Sequence, residues 1–197
     1  LFEVALGVGL ALAIGVPLGL VAGWFGRLPD EIVGWGANIL FAFPGIILAI
    51  LIFSVLGTSL VNLLLAIALF SIPAYVRLTR NLTVGLKEIE YVQGARAVGA
   101  TTQRLLAHHV LRNAVPPLLV QATLTAGQVI LSAASLSFLG LGAQPPTPEW
   151  GAMMSDARDL LGVDNTLSLF PGMAILLAVL GFNLLGEGVR ELFDRRR

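Results

Sequence analysis

The sequence contains no cysteine among its 197 residues. It can therefore form no disulfide, no thiolate zinc site and no cysteine nucleophile. Charge is also scarce, since Asp, Glu, Lys and Arg make up 12% of the chain, whereas a soluble domain carries about 25%. The twelve acidic and twelve basic residues balance, so no net charge draws the chain to nucleic acid, and no nucleic acid partner is expected.

Apolar residues are abundant, at 56% of the chain with a mean hydropathy of +0.87. This composition excludes a disordered chain and favours a membrane protein. A membrane helix needs about 20 apolar residues. Four stretches carry no Asp, Glu, Lys or Arg, at residues 4–26, 32–76, 113–148 and 165–186.

The second of these stretches is about twice the length of one span, so it must hold two. Gly57, Thr58 and Ser59 are typical of a turn and divide it. A membrane β-barrel is excluded because the apolar runs are continuous rather than alternating. We therefore predict an all-α polytopic bundle, with residues 1–197 as a single domain and five spans near 4–23, 37–56, 60–77, 117–139 and 167–188.

The distribution of basic residues predicts the orientation. Eleven of the twelve lysines and arginines fall on one side of this arrangement, and the twelfth is Arg158. The positive-inside rule then places loop 78–116 and the C-terminus in the cytoplasm, and loop 140–166 outside. Residue Leu1 would also lie outside, so we expect at least one further span upstream in a longer parent sequence. Arg195–Arg197 are expected to anchor the last span at the inner surface.

Two residue patterns on the spans leave alternatives open. Small residues repeat every four positions in the first span, which allows close packing against a helix of this chain or of another subunit. A polar face on the fourth span predicts either interhelical hydrogen bonds or the lining of a polar pathway. The small residues are Gly7, Ala11, Gly15, Gly19 and Gly23, and the polar face consists of Gln121, Thr125, Gln128 and Ser132. Prolines lie within or beside every span and are expected to kink helices.

The cytoplasmic loop holds an amphipathic stretch. Residues 88–98 are predicted to form a short helix that stops at Gly99, and Thr101 or Thr102 is suited to cap a second helix over 103–112. The first helix carries several small residues beside Tyr91, Val92 and Val98. Such a face is typical of a helix that lies in a partner's groove. The small residues are Gly94, Ala95, Ala97 and Gly99.

These residues resemble a known motif. The run Gln93-Gly94-Ala95-Arg96-Ala97-Val98-Gly99, followed by His109-Val110-Leu111, is similar to the cytoplasmic EAA loop of binding-protein-dependent ABC importer permeases. Longer segments resemble the C-type subunit of the dipeptide/oligopeptide branch, and the likeness covers essentially the whole chain. They are EYVQGARAVGAT…HHVLRNAVPPLLVQATL, LSFLGLGAQPPTPEWGAMMSDAR, AFPGIILAI and LFPGMAILLAVLGFNLLGEGVRE. The sequence departs from the family pattern at Gln93, Gly94 and Arg112, where Glu, Ala and Pro are usual.

The resemblance implies a function and a set of partners. The chain would be a permease subunit of the bacterial or archaeal cytoplasmic membrane, pairing with a second permease as a heterodimer to pass peptides. The complex would include two cytoplasmic ATP-binding subunits, and the EAA helix of each permease would dock in a cleft on one of them. An external binding protein would dock at the acidic region 140–166, which includes Pro145, Pro146 and Trp150. The ATPase-coupling residues would be Tyr91, Gln93, Gly94, Ala95, Arg96, Ala97 and Gly99.

The residues exclude several other roles. The chain has no G-x-x-x-x-G-K-[ST] loop, so ATP and magnesium are expected on the partner ATPases and no cofactor on this chain. An intramembrane enzyme would need a buried Ser–His or paired Asp, and no Asp or His lies in a predicted span. A self-contained channel or secondary transporter is the remaining alternative, against which the lack of mid-membrane charge counts. Adjacent His108 and His109 point about 100° apart and predict no metal site. Nickel or another small solute remains an alternative cargo.

Overall fold

The computed structural model describes residues 2–142 and 147–194, and every regular element in those ranges is a helix. The helices α6 and α7 are joined without a break by a π-helical stretch, Leu105–Leu111, called here the π-segment. A 3₁₀ turn, Arg158–Leu160, follows α8. The α-helices are α1 (Phe2–Phe25), α2 (Arg27–Ala42), α3 (Gly45–Leu56), α4 (Leu60–Lys87), α5 (Glu90–Ala97), α6 (Thr102–Arg104), α7 (Arg112–Phe138), α8 (Trp150–Asp156) and α9 (Thr166–Asp194).

Within the described ranges, four helices are long and apolar enough to cross a membrane. They are α1, α4, α9 and the continuous helix Thr102–Phe138. The pair α2 and α3 also qualifies when taken together, although the two helices meet at an angle of 88°. The all-α polytopic architecture predicted from the sequence is confirmed.

The predicted span over 37–56 is not a single helix, because α2 ends at Ala42 and α3 begins at Gly45. Pro44 lacks an N–H group and disfavours helical geometry at the residue before it. Phe43 is accordingly extended, with φ −90° and ψ 124°. The other prolines of the spans, by contrast, lie inside continuous helices: Pro17, Pro73, Pro116, Pro117 and Pro171.

The loop predicted over 78–116 is also more helical than expected. Helix α4 continues to Lys87, and the separate helix predicted over 103–112 is instead the beginning of the helix that becomes α7. At 1.5 Å per residue, α4 is about 42 Å long, which exceeds the hydrocarbon thickness of about 30 Å. Both α4 and the helix beginning at Thr102 therefore extend out of the membrane and carry α5 between them.

The stripe of small residues in α1 packs within the chain, against α4. An added Cβ at Gly15 would lie 2.7 Å from Tyr75 Cβ, and one at Gly19 would lie 2.6 Å from Thr79 Cβ. Because the α4 backbone is equally near, these positions admit no side chain at all. Of the two partners considered for the stripe, the structure shows the helix of the same chain.

Candidate functional site

Helix α5 is attached to the helical bundle through one side. Val92 is 1% exposed and holds the helix against α4 and the π-segment. The Tyr91 ring lies 6.1 Å from the ring of His109, at a tilt of 42°. These two contacts fix which face of α5 points away from the bundle.

That outward surface, called here the exposed α5 face, combines small and apolar side chains. Val98 is 86% exposed, although contact between an apolar side chain and water is energetically unfavourable. Gly94 has open space around it, because a Cβ added there would have no atom from outside its own helix within 4 Å. The face therefore lets another molecule approach the α5 backbone closely. Its residues are Gln93, Gly94, Arg96, Ala97, Val98 and Gly99, all exposed, while Ala95 is half-buried.

The end of α5 is closed by hydrogen bonds that make the following turn rigid. The Ala100 N–H donates to the Ala95 carbonyl at 3.1 Å and the Gly99 N–H to the Arg96 carbonyl at 3.1 Å, the Schellman pattern. Gly99 takes φ +88°, which favours glycine at this position. Thr101 then caps the next helix by accepting from the Arg104 N–H at 3.4 Å. The predicted stop and cap are both confirmed.

The π-segment lies directly beneath α5 and was not predicted from the sequence. Its Leu105 and Val110 side chains are buried, and the Asn113 amide donates to the His109 carbonyl at 2.6 Å. Short π-helical insertions in α-helices are frequently found at functional sites. No residue pattern distinguishes this stretch from ordinary helix.

Gln93 makes a local contact that a glutamate could not make. Its side-chain N–H donates to the Glu88 carbonyl at 3.0 Å and lies 3.5 Å from the Glu88 carboxylate. A carboxylate at position 93 has no donor and would repel Glu88. Arg112, where proline is usual in the family that the sequence resembles, is exposed at the first residue of α7.

A polar cluster joins α2 to α4 near the same end of the molecule. Arg80 forms a bidentate ion pair with Asp30, at 2.8 Å from Nε to Oδ1 and 2.5 Å from Nη2 to Oδ2. Arg77 donates to the Asn38 side chain at 2.8 Å and lies 4.2 Å from the centre of the Phe41 ring. The sequence shows that these residues are arginines, but it does not indicate their hydrogen-bond partners, which lie about forty to fifty residues earlier in the chain.

The four polar residues of the predicted pathway face divide into two pairs. The Gln121 amide donates to the Thr125 hydroxyl at 3.2 Å, and Thr125 is buried between helices. Gln128 is exposed and Ser132 is half-buried, and both line an open cleft beside α3 and α4. The hydrogen bond of the first pair thus lies within α7 and not between helices, while the second pair faces open space.

The predicted external region holds one helix and two capping interactions. Glu149 accepts from the Ala152 N–H at 2.9 Å at the start of α8, and Trp150 packs against the hydrophobic core. Hydrogen bonds from the Thr166 hydroxyl and backbone N–H hold the pKa of the exposed Asp164 carboxyl below its usual value. Pro145, Pro146 and Arg195–Arg197 lie outside the described residues.

No group of three or more His, Asp or Glu side chains suited to a metal ion comes together within residues 2–142 and 147–194. His108 is exposed and His109 is half-buried beside Tyr91. The two histidines therefore point into different surroundings, as their adjacent positions on a helix require.

Comparison with known proteins gives a consistent result. The family described as "Binding-protein-dependent transport system inner membrane component" matches residues 15–197. The dipeptide transport system permease protein DppC of Alkalihalophilus pseudofirmus is 47% identical over 93% of this chain and 60% of its own length. The glutathione transport system permease protein GsiD of Pectobacterium atrosepticum is 45% identical over 94% of this chain and 62% of its own. The chain thus spans about three fifths of the length of these curated relatives.

Solved structures show the same fold. A chain of the MetNI methionine ABC transporter, in an inward-facing conformation, superposes with a TM-score of 0.75 at 20% identity, covering 96% of this chain and 90% of that one. A chain of an amino acid ABC transporter superposes with a TM-score of 0.66 at 14% identity, covering 99% and 89%.

Proposed function

Because the chain belongs to the family of binding-protein-dependent transport system inner membrane components, we propose that it is a permease subunit of an ATP-driven importer. It is a multi-pass membrane component without a catalytic site of its own. With a second permease of similar fold it forms the pathway for a solute, and two cytoplasmic ATP-binding subunits hydrolyse ATP. An external binding protein delivers the solute.

The observation that carries this proposal is the exposed α5 face. A solvent-exposed connector between two membrane helices needs no apolar, small-residue surface, yet Val98 is almost fully exposed and the Gly94 backbone is accessible. A groove on an ATP-binding subunit is the partner that such a face fits. Relative to the family pattern, Gly94 in place of alanine keeps the small-residue surface, and Gln93 in place of glutamate removes one carboxylate from it.

Rigid attachment gives α5 a means of transmitting motion. The Schellman turn ties α5 to α6, and Val92 ties it to α4 and the π-segment. Movement of α5 with an ATP-binding subunit would therefore move the two long helices on either side of it as packed bodies. The coupling residues are the ones the sequence motif marks, Tyr91 and residues 93–97 together with Gly99.

The proposed orientation of the chain in the membrane follows from the distribution of its lysines and arginines. Placing α5 in the cytoplasm also places α4's last turns and the C-terminus there, and puts α8 outside, close to the external binding protein. Of the polar face of α7, Gln128 and Ser132 line the pathway, since they border the open cleft.

The proposed solute is a short peptide. Two relatives above 40% identity are named for dipeptides and for glutathione, and both of these solutes carry peptide bonds. The residues that line the cleft at Gln128 are uncharged, so this wall favours no peptide charge. Nickel or another small solute would fit the same importer class, but neither relative is named for one.

Affinity purification of the full-length protein from its native membranes, in mild detergent, tests the proposal. We expect a second permease and two ATP-binding subunits to co-purify in fixed ratio, identified by mass spectrometry. ATP hydrolysis by this assembly should rise when the peptide-loaded binding protein is added. Recovery of this chain alone as a stable homo-oligomer would instead favour a channel or a secondary transporter.

A further inference from the structure

The open cleft beside α7 lies between three helices and has a volume of about 310 Å³. It is within the size range of pockets that bind small molecules, about 300–1,000 Å³. Its wall combines two polar side chains with apolar ones from α3 and α4. The residues that matter here are Gly45, Ile46, Phe70, Gln128, Leu131 and Ser132.

The polar side of the cleft lies inside membrane-spanning helices. Both α4 and the continuous helix Thr102–Phe138 are long and apolar enough to cross a membrane. Phe70 is ten residues after the start of α4, and Gln128 is ten residues before the end of α7. At 1.5 Å per residue, each lies about 15 Å along its helix from that end, so neither is at a helix terminus.

Polar groups at this depth are costly unless they have a partner. Gln128 is exposed and, within the described part of the chain, neither its amide nor the Ser132 hydroxyl makes a hydrogen bond. In contact with lipid, such an amide would lose its hydrogen bonds to water and gain none. An exposed amide inside a membrane-spanning helix therefore indicates a wet pathway or a hydrogen-bonding ligand.

Phe70 forms the apolar wall opposite these polar groups. A Cβ added to Gly45 would lie 3.2 Å from Phe70 Cγ, so the first turn of α3 packs directly on the ring and limits its movement. The half-buried Phe70 ring therefore forms part of the cleft wall and is backed by α3. The bend at Pro44 is what brings Gly45 to this place.

We propose that this cleft is a contact site for the transported peptide, in which Gln128 and Ser132 hydrogen-bond the peptide backbone and Phe70 limits the size of its side chain. The second permease supplies the opposite wall. This inference rests on the proposed function and adds the residues that set selectivity within the pathway. Because this wall of the cleft carries no charged side chain, it contributes selection by size and not by charge.

The first experiment measures access of water to the cleft and does not depend on transport. The 197 residues contain no cysteine, so Gln128→Cys introduces a single thiol into this region of the full-length, assembled complex. Leu177→Cys is the control, because Leu177 is eleven residues into α9 and 62% exposed but lies outside the cleft. A charged methanethiosulfonate reagent is expected to modify Gln128→Cys about tenfold faster, since reaction requires the thiolate and water. If the two thiols react equally slowly, the cleft is not open to water and the proposed site is wrong.

The second experiment measures selectivity. The complex is reconstituted in vesicles with its binding protein saturated by either alanyl-alanine or alanyl-tryptophan, and the ratio of the two uptake rates is compared. Phe70→Ala is expected to raise the relative uptake of the tryptophan peptide about tenfold, the scale on which a few methylenes discriminate in an apolar pocket. Phe70→Leu, which keeps more of the packing, should raise it less, and Leu177→Ala should leave it unchanged.

The outcomes separate this inference from the proposed function. An unchanged ratio in both Phe70 variants, while uptake persists, would overturn the selectivity role of Phe70. If the unmodified complex takes up no peptide with its loaded binding protein, the proposed peptide function fails. The accessibility of Gln128→Cys would then still show whether the cleft is a wet pathway.

Discussion

Gly19→Leu is expected to prevent the protein from folding into a stable assembly. A Cβ at this position would lie 2.6 Å from Thr79 Cβ and 2.7 Å from the Val76 carbonyl oxygen. Backbone atoms of a packed helix cannot move aside as a side-chain tip can, so α1 and α4 would have to separate. Overpacking by a methylene costs about 1–3 kcal/mol, and a whole leucine against backbone should cost at least about 3 kcal/mol. A protein's total stability is about 5–15 kcal/mol.

Gly9→Leu is the matched control on the same helix. No atom lies within 4 Å of a Cβ at Gly9, so its leucine enters open space and should not lower stability, and the better helix propensity of leucine favours the helix by about 0.5–1 kcal/mol. Both variants are compared by the yield of the purified full-length complex and by its thermal precipitation temperature. Equal yields and temperatures for the two would mean that the α1–α4 contact does not hold the bundle together.

Gly94→Leu is expected to leave the fold intact and to reduce uptake about 100-fold. Gly94 is exposed on α5 and has open space around it, so leucine fits there without strain and even favours the helix. The added side chain would, however, stand between α5 and the groove of an ATP-binding subunit. Altering a central residue of an interface changes the free energy of binding by about 2–4 kcal/mol, which corresponds to roughly 30- to 1,000-fold in affinity.

The measurement is peptide-stimulated ATP hydrolysis and uptake by the reconstituted complex, at equal amounts of membrane-inserted protein. Gly85→Leu serves as the control, because Gly85 is equally open but belongs to α4 and not to the exposed α5 face. Uptake by Gly94→Leu at the unmodified rate would refute the groove contact. Gly99→Val is a poorer test, since Gly99 has φ +88° and the substitution would also distort the turn.

The α5 region shows how much of a site a local pattern can specify. The stop at Gly99 and the cap at Thr101 follow from residue types whose preferences act within a few residues, and the structure has both. The helical spans follow equally from long runs without charge. Each of these features depends on short-range chemistry or on the thickness of the bilayer, both of which are readable from the sequence.

The bend at Pro44 and the Arg80–Asp30 pair show where such reasoning ends. Six prolines lie in or beside the spans, and Pro44 alone among them separates two helices in the described chain. Which proline breaks a helix depends on whether neighbouring helices satisfy the freed carbonyls. The ion pair likewise joins residues fifty positions apart. Both are decided by tertiary packing, which no local pattern contains.

The division of the α7 polar face has the same origin. Gln121, Thr125, Gln128 and Ser132 have equivalent spacing, and the sequence therefore treats them alike. The structure buries Thr125, whereas Gln128 faces the open cleft that residues of α3 and α4 also line. Which of the four residues is covered depends on how the neighbouring helices pack on α7, and their spacing along α7 does not contain that information.

Photo-crosslinking from position 98 tests most directly whether α5 docks on an ATP-binding subunit. Val98 is replaced by p-benzoylphenylalanine in the full-length protein within its native membrane, and Val163 is replaced in the same way as the control. The two side chains are 86% and 87% exposed, but they lie on opposite sides of the membrane in the proposed orientation. We predict an adduct with the ATP-binding subunit from position 98 and none from position 163. The absence of that adduct from position 98, or its formation from position 163, would contradict the account.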